Sequence, residues 1–175
     1  MAGQLLIEYL ERRKACFKRQ VHRKVFTAIE AAQSRDICDH AFAKVVMIKI
    51  DGELAMVVLP APHHLKLSVL RDLLGAGEIR LATEKEFAFR FPRCELGAMP
   101  PFGHLYGLQT YFVPMFEQGK DIAFNAGSHS ELIRMPIDEY VRLASVTPIL
   151  QGGIPRTLRS SPLYSQMLEM TVVDG

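Results

Sequence analysis

Apolar positions along the chain change their spacing several times, and each change marks an element. Leu5, Leu6, Tyr9 and Leu10 recur at helical spacing within Gln4 to Lys14, with basic residues on the last turn where the helix dipole favours them. Cys16 to Val21 alternates as a short strand does. Thr27 to Ser34 reads as a second helix, with Thr27 as N-cap and Glu30 completing a capping box. The clearest β signal is the pair Ala43 to Ile50 and Leu54 to Leu59, separated by a turn containing Asp51-Gly52, a dipeptide that tight hairpins prefer. His64 to Leu74 is a predicted helix ended by Gly75, Ile79 to Leu81 a strand, and Thr83 to Phe91 a helix with a Thr83/Glu86 capping box. Tyr106 to Phe112, Asp121 to Asn125 and Glu131 to Met135 read as strands, the last two joined by a turn at Ala126-Gly127-Ser128-His129. Pro136 then suits the first turn of a helix running to about Ala144, where its missing N–H would have had no partner. Strands interleaved with helices around a central hairpin predict an α+β domain on a curved mixed sheet flanked by helices.

Composition agrees and sets limits. With 175 residues, 49% of them hydrophobic and 23% charged, the chain is long and apolar enough for one globular core. From Thr147 the sequence turns to Pro148, Gly152, Gly153, Pro155, Ser160, Ser161 and Pro162, so residues 1–146 are expected to form a single domain and 147–175 a tail or extension. A net charge of +2 does not by itself imply a nucleic-acid partner. The distribution is more telling. Arg12, Arg13, Lys14, Lys18, Arg19, Arg23 and Lys24 face only Glu8 and Glu11 in the first 24 residues, which gives either a seat for a phosphate backbone or a solvated basic face. Cys16, Cys38 and Cys94 are widely spaced and form no CxxC pair, so neither a disulfide framework nor a zinc cluster is suggested. No apolar run has the length of a membrane span, and Glu8 and Glu11 interrupt the first apolar stretch, unlike a secretory signal. A cytoplasmic protein without a metal or cofactor is expected.

Two features carry the candidate chemistry. Gly97-Ala98-Met99-Pro100-Pro101-Phe102-Gly103 brackets a Pro-Pro pair with glycines, a stiff loop that neither helix nor central strand accommodates; it is a site or a turn without chemistry. Lys44 falls on the same strand face as Val46, Ile48 and Ile50, so its ammonium must snorkel from the strand end or meet an anion. His22 lies in a connection and is open to a structural or a catalytic reading. His63-His64 lacks a further ligand at a metal spacing. No GxSxG elbow, HExxH pair or activated cysteine is present, so no covalent nucleophile or metal-bound hydroxide is advertised.

Three segments taken in order, FAKVVMIKIDGELAMVVLP, GAMPPFG and FNAGSHSELIRMPIDEYVRL, resemble the YbaK/prolyl-tRNA synthetase associated domain family of aminoacyl-tRNA deacylases. The likeness runs from about Tyr9 to Ala144. It implies a barrel-like sheet with the site at its mouth, and hydrolysis in trans of the ester joining a wrong, small amino acid such as alanine or cysteine to tRNA for proline. Lys44 matches the family's essential lysine, Gly97 and Pro101 the ends of its GxxxP loop, and His129 a histidine of the AGSH-like turn. The resemblance thus implies Lys44, Gly97 and His129 as catalytic, with Ala98, Met99, Pro101, Phe102, Gly103, His22, Thr27, Gly127 and Ser128 around the substrate. It implies the aminoacylated end of a tRNA as partner, with an aminoacyl-tRNA synthetase as a second. Because such an ester is already activated, positioning a water or a substrate hydroxyl and stabilising the oxyanion through loop N–H groups is sufficient chemistry. A binding module that recognises the tRNA end or a protein without hydrolysis is the competing reading. A hydrolase using His22 or His129 as general base is a third.

Overall fold

The computed structural model describes residues 3–22, 38–117 and 120–149, and the backbone of 172–173. The predicted helix at 27–34, Thr27 with it, lies outside the described residues.

The hairpin forms as its sequence asks. Strands β2 (Ala43–Ile50) and β3 (Glu53–Pro60) pair antiparallel without a register shift, from Ala43 opposite Pro60 to Ile50 opposite Glu53. Asp51 and Gly52 both take positive φ (48° and 89°), as the tight turn requires. Before the hairpin come helix α1 (Gln4–Arg12) and strand β1 (Lys18–Val21). After it come β4 (His64–Leu65), α2 (Leu67–Leu74), β5 (Ile79–Leu81), α3 (Glu84–Phe87), β6 (Gln109–Phe112), β7 (Asp121–Ser128), β8 (Glu131–Pro136), α4 (Ile137–Leu143), β9 (Thr147–Pro148) and β10 (Val172–Val173).

Two sheets carry the domain. One has the order β5-β2-β3-β6-β9, with β3, β6 and β9 running parallel; the other is the antiparallel set β1-β8-β7. They are joined at a single parallel bridge, Phe42 to Ala123, so the described strands make a mixed, barrel-like arrangement that is not closed into a continuous barrel. The main core lies against one face of both sheets. Met47, Met56, Val58 and Phe112 meet Ile122, Phe124, Ile133 and Met135 there, together with Leu6 and Leu10 of α1 and Tyr140 of α4. The opposite face of the hairpin is also covered: Ile48, Ala55, Val57 and Leu59 pack with Leu70 of α2. Farther along that same face Phe42, Ala61, Ala123 and Leu132 form a small third cluster.

Several boundaries differ from those the sequence suggested. Helix α2 begins at Leu67 because His64 and Leu65 pair with Val172 and Val173 in a two-stranded ladder; Gly75, at φ 62°, ends it as expected. The Thr83 helix tightens to a 3-10 turn at Ala88–Arg90, while its capping box forms through the Thr83 N–H donating to Glu86 Oε2 at 2.9 Å. Gly103–Tyr106 is a 3-10 turn closed by Gly107 at φ 69°, so β6 starts only at Gln109. Strand β7 runs through Ala126 and Gly127 to Ser128, because a bulge between Asn125 and Ser128 absorbs the small residues that read as a turn. Thr147–Pro148, where the expected tail or extension begins, lies along the domain. It forms the edge strand beside β6, and Ile149 beyond it is buried with its N–H on the Phe112 carbonyl at 2.9 Å.

Candidate functional site

The site is built around the edge of β7, where two other pieces of chain dock one after the other. At Ala123 the edge meets Phe42, the residue before β2. At Gly127 it meets the 95–98 segment: Glu95 N–H donates to the Gly127 carbonyl and Gly127 N–H to the Ala98 carbonyl, both at 2.9 Å. A strand edge with unpaired N–H and C=O groups pairs with whatever backbone is presented, and here it is shared between β2 and the loop.

The loop is held rigidly from several sides. His129 is buried, its backbone N–H donates to Glu95 Oε2 at 2.8 Å, and its ring Nε2–H donates to the Leu96 carbonyl at 2.8 Å. Tyr140 is fully buried, donates its hydroxyl to the Pro101 carbonyl at 2.9 Å, and packs edge-on against Phe102 with ring centroids 5.4 Å apart. Burial pushes the Tyr140 phenol well above its usual pKa, so it stays a donor. Tyr140→Phe would orphan a buried carbonyl and is expected to cost about 1–3 kcal/mol, read as a lower midpoint in denaturant at unchanged slope.

The loop side chains are turned inward: Ala98, Met99 and Phe102 are buried, and so are Pro101 and Gly103. Of the loop N–H groups, Ala98 and Phe102 already donate to Glu95 and Pro100 carbonyls. Gly97 is different. It is exposed, takes φ 83°, and among the described residues its N–H meets only the Met99 sulfur, a weak acceptor, at 3.2 Å. A Cβ there would lie 3.4 Å from His129 Cε1, so Gly97 and His129 are in direct contact.

Lys44 stands on the other flank. Its partner across the hairpin is Leu59, which puts it on the face of Phe42 and the third cluster, away from the main core. It is half-buried, burial lowers its pKa, and among the described residues no acidic neighbour offsets that shift. Lys49, on the opposite face, has a carboxylate at 3.2 Å in Glu86. His22 follows β1, with its N–H on the Ser130 carbonyl at 2.7 Å, on the same face by strand alternation as Gln20 and Leu132. Ser128 and Ser130 exchange a hydroxyl contact at 3.3 Å at the end of the β7–β8 hairpin.

Lys44, His22 and the β7 edge are thus placed toward one face, with Gly97 and His129 at the far end of that edge. Two residues that hold the loop escape sequence reasoning: Glu95 and Tyr140. Glu95 and Tyr140 act across 34 and 39 residues and left no local signal.

This fold, with the start of β2 and the Gly97 loop docked on one strand edge, has a counterpart among known families. Residues 22–143 match the model of the aminoacyl-tRNA editing domain. The chain belongs to that family, and is a hydrolase of the aminoacyl-tRNA ester bond. It is 28% identical over 146 residues to the multifunctional Ser/Thr-tRNA deacylase ProXp-y of Escherichia coli (strain K12), an alignment covering 81% of this chain and 87% of that protein. Among solved structures, a candidate trans-editing enzyme for prolyl tRNA synthetase superposes with a TM-score of 0.71 at 19% identity, covering 89% of this chain and 98% of the other. The hypothetical protein APE2540 superposes with a TM-score of 0.73 at 18% identity, covering 83% and 97%. These last two likenesses speak to the fold. Among the described residues no helix is long and apolar enough to cross a membrane.

Proposed function

We propose that the protein removes a small amino acid from a misacylated tRNA in trans, in the cytoplasm, with serine and threonine joining alanine and cysteine as candidate substrates. The observation that carries this reading is Lys44: a half-buried ammonium with no acidic neighbour among the described residues, two residues along β2 from the Phe42 bridge to the strand that also holds the Gly97 loop. Such a cation is costly until an anionic or carbonyl oxygen meets it. In this reading Lys44 binds the phosphate or the polar end of the aminoacyl-adenosine. Water attacks the ester carbonyl, the Gly97 N–H stabilises the oxyanion, the carbon–oxygen bond to the ribose breaks, and the ribose hydroxyl leaves with a proton. His129 is a positioning residue here: its Nε2–H is spent on the Leu96 carbonyl and fixes the loop rather than acting on the substrate. Serine and threonine enter because the curated relative is named for them, and because a synthetase pocket separates side chains differing by one small group by only about 1–3 kcal/mol.

The test is deacylation of Ser-, Thr-, Ala- and Cys-tRNA beside correctly charged Pro-tRNA for proline. At least one misacylated ester is expected to be cleaved well above its buffer rate while Pro-tRNA is spared. Binding of the charged tRNAs without cleavage of any would instead support the binding module.

A further inference from the structure

A cavity of about 500 Å³ lies where the start of α1 meets the two ends of the Gly97 loop. It is lined by Leu5 from α1, by Arg90, Pro92 and Arg93 ahead of the loop, and by Leu105 and Tyr106 after it. That volume is within the range of sites that hold small ligands, about 300–1,000 Å³. The cavity is joined to the strand that carries the site. Gly3, on its wall, packs so closely on β7 that a Cβ there would overlap the Ala126 carbonyl oxygen. Cys94, also on the wall, is followed by Glu95, whose N–H is on the Gly127 carbonyl. Three residues of extended chain span at most about 10 Å, so the Gly97 backbone lies no farther than that from Cys94.

Its lining is cationic without a counter-charge, for no acidic residue is among the described residues that form it. Elsewhere Arg71, Arg80, Arg134 and Arg142 each hold a carboxylate at 2.6–3.2 Å. Among the described residues the guanidinium groups of Arg90 and Arg93 have no ion pair and no hydrogen bond, and Arg90 lies over the Phe89 ring at 5.4 Å. The nearby carboxylates are engaged: Glu95 accepts the His129 N–H and Glu8 the Gln4 side-chain amide, both at 2.8 Å. Burial pushes the Cys94 thiol and the Tyr106 phenol up, so neither adds a negative charge. Guanidinium groups meet phosphate oxygens through paired N–H donors, and the apolar wall of Leu5, Pro92, Leu105 and Tyr106 suits a sugar and a base. Both arginines are exposed, so a phosphate held there can stay part of a longer strand. Resting on the deacylase reading for the identity of the partner, we propose that this cavity is an RNA subsite. Arg90 and Arg93 hold the phosphate of a nucleotide close to the aminoacylated end of the tRNA, and its sugar and base lie on the apolar wall.

The experiment measures the affinity of the full chain for uncharged tRNA for proline across a salt series. Alongside it, kcat and KM are measured on a charged tRNA that the wild type cleaves and on the matching aminoacyl-adenosine, which has no phosphate. Two variants are compared with wild type: Arg90→Gln/Arg93→Gln, and Leu5→Glu, which sets a carboxylate into the cavity at an exposed first-turn position where a helix accepts one. Both are expected to bind tRNA about 10-fold more weakly, and in the arginine variant the slope of log K against log salt falls by roughly 1–2. KM for the charged tRNA rises with kcat held, while cleavage of aminoacyl-adenosine stays within about twofold. Unchanged tRNA affinity in both variants, or an equal loss on aminoacyl-adenosine, overturns the subsite. If the variants weaken binding of AMP but not of tRNA, the cavity serves a free nucleotide and the RNA assignment falls. A wild type that shows the expected tRNA affinities but cleaves no ester removes the deacylase reading and leaves the subsite in place.

Discussion

Lys44→Met lowers kcat/KM for the edited ester by about 10²-fold or more, on the scale of a lost charge-stabilising group, and leaves the protein at least as stable as the wild type. The two halves of this expectation come from one fact. Lys44 is half-buried with only desolvation acting on its pKa, so its charge is a cost to the free protein and an asset to the complex. Methionine fills a similar volume beside Leu59 without the charge. The pH dependence gives the sign. The folded-state pKa of Lys44 lies below its unfolded value, so folding is opposed while the amine is charged in both states, and that opposition fades as pH rises through the folded value toward the unfolded one. The advantage of Lys44→Met over wild type in denaturant midpoint should therefore be largest near neutral pH and shrink in alkaline buffer. Should Lys44→Met unfold more readily at neutral pH, the lysine is a structural residue; should it keep full activity, the site lies elsewhere.

How much of this was legible beforehand follows the range of the interactions. The β2–β3 hairpin, the Thr83 capping box and the Gly75 helix end are decided by neighbours within a few residues, and the sequence displays them. The placement of Lys44 on one strand face follows from alternation alone. What alternation could not reveal is that both faces of the hairpin are covered, so that being opposite the main core does not mean being in water. The loop shows the same divide. Its glycines announce a special backbone, and Gly97 does adopt positive φ, but the sequence could not tell side chains that line a site from side chains that pin it. Phe102 looks like a substrate contact in a linear motif; in three dimensions it is among the core aromatics beside Phe124 and Tyr140. The bulge after Asn125 depends on pairing with β8 and on the 95–98 segment, which is why Ala126-Gly127-Ser128 reads as a turn and folds as strand.

Gly97→Ala tests whether the loop works through its backbone, and its expected effect is second only to that of Lys44. An L-residue at φ 83° is strained by roughly 1–2 kcal/mol, and the added Cβ comes to 3.4 Å from His129 Cε1, a tight contact with a ring fixed by its bond to Leu96. Relief requires the loop to shift at Gly97, the point where the proposed mechanism offers its N–H to the oxyanion, and a displacement of that kind costs up to about 10²-fold in rate. Gly52→Ala supplies the control. It has the same left-handed strain, φ 89°, but open space where the Cβ would go, in a hairpin turn far from β7. Both variants should lose a few degrees in Tm, about 2–4 °C per kcal/mol for a chain of this size. Only Gly97→Ala should lose deacylation, and chiefly in kcat, because an oxyanion donor acts in the transition state rather than in the bound ester. If both variants keep wild-type kcat at equal Tm loss, the Gly97 loop is a support for the strand edge and the oxyanion donor must be sought at another backbone N–H, with Met99 and Gly103 the next to examine.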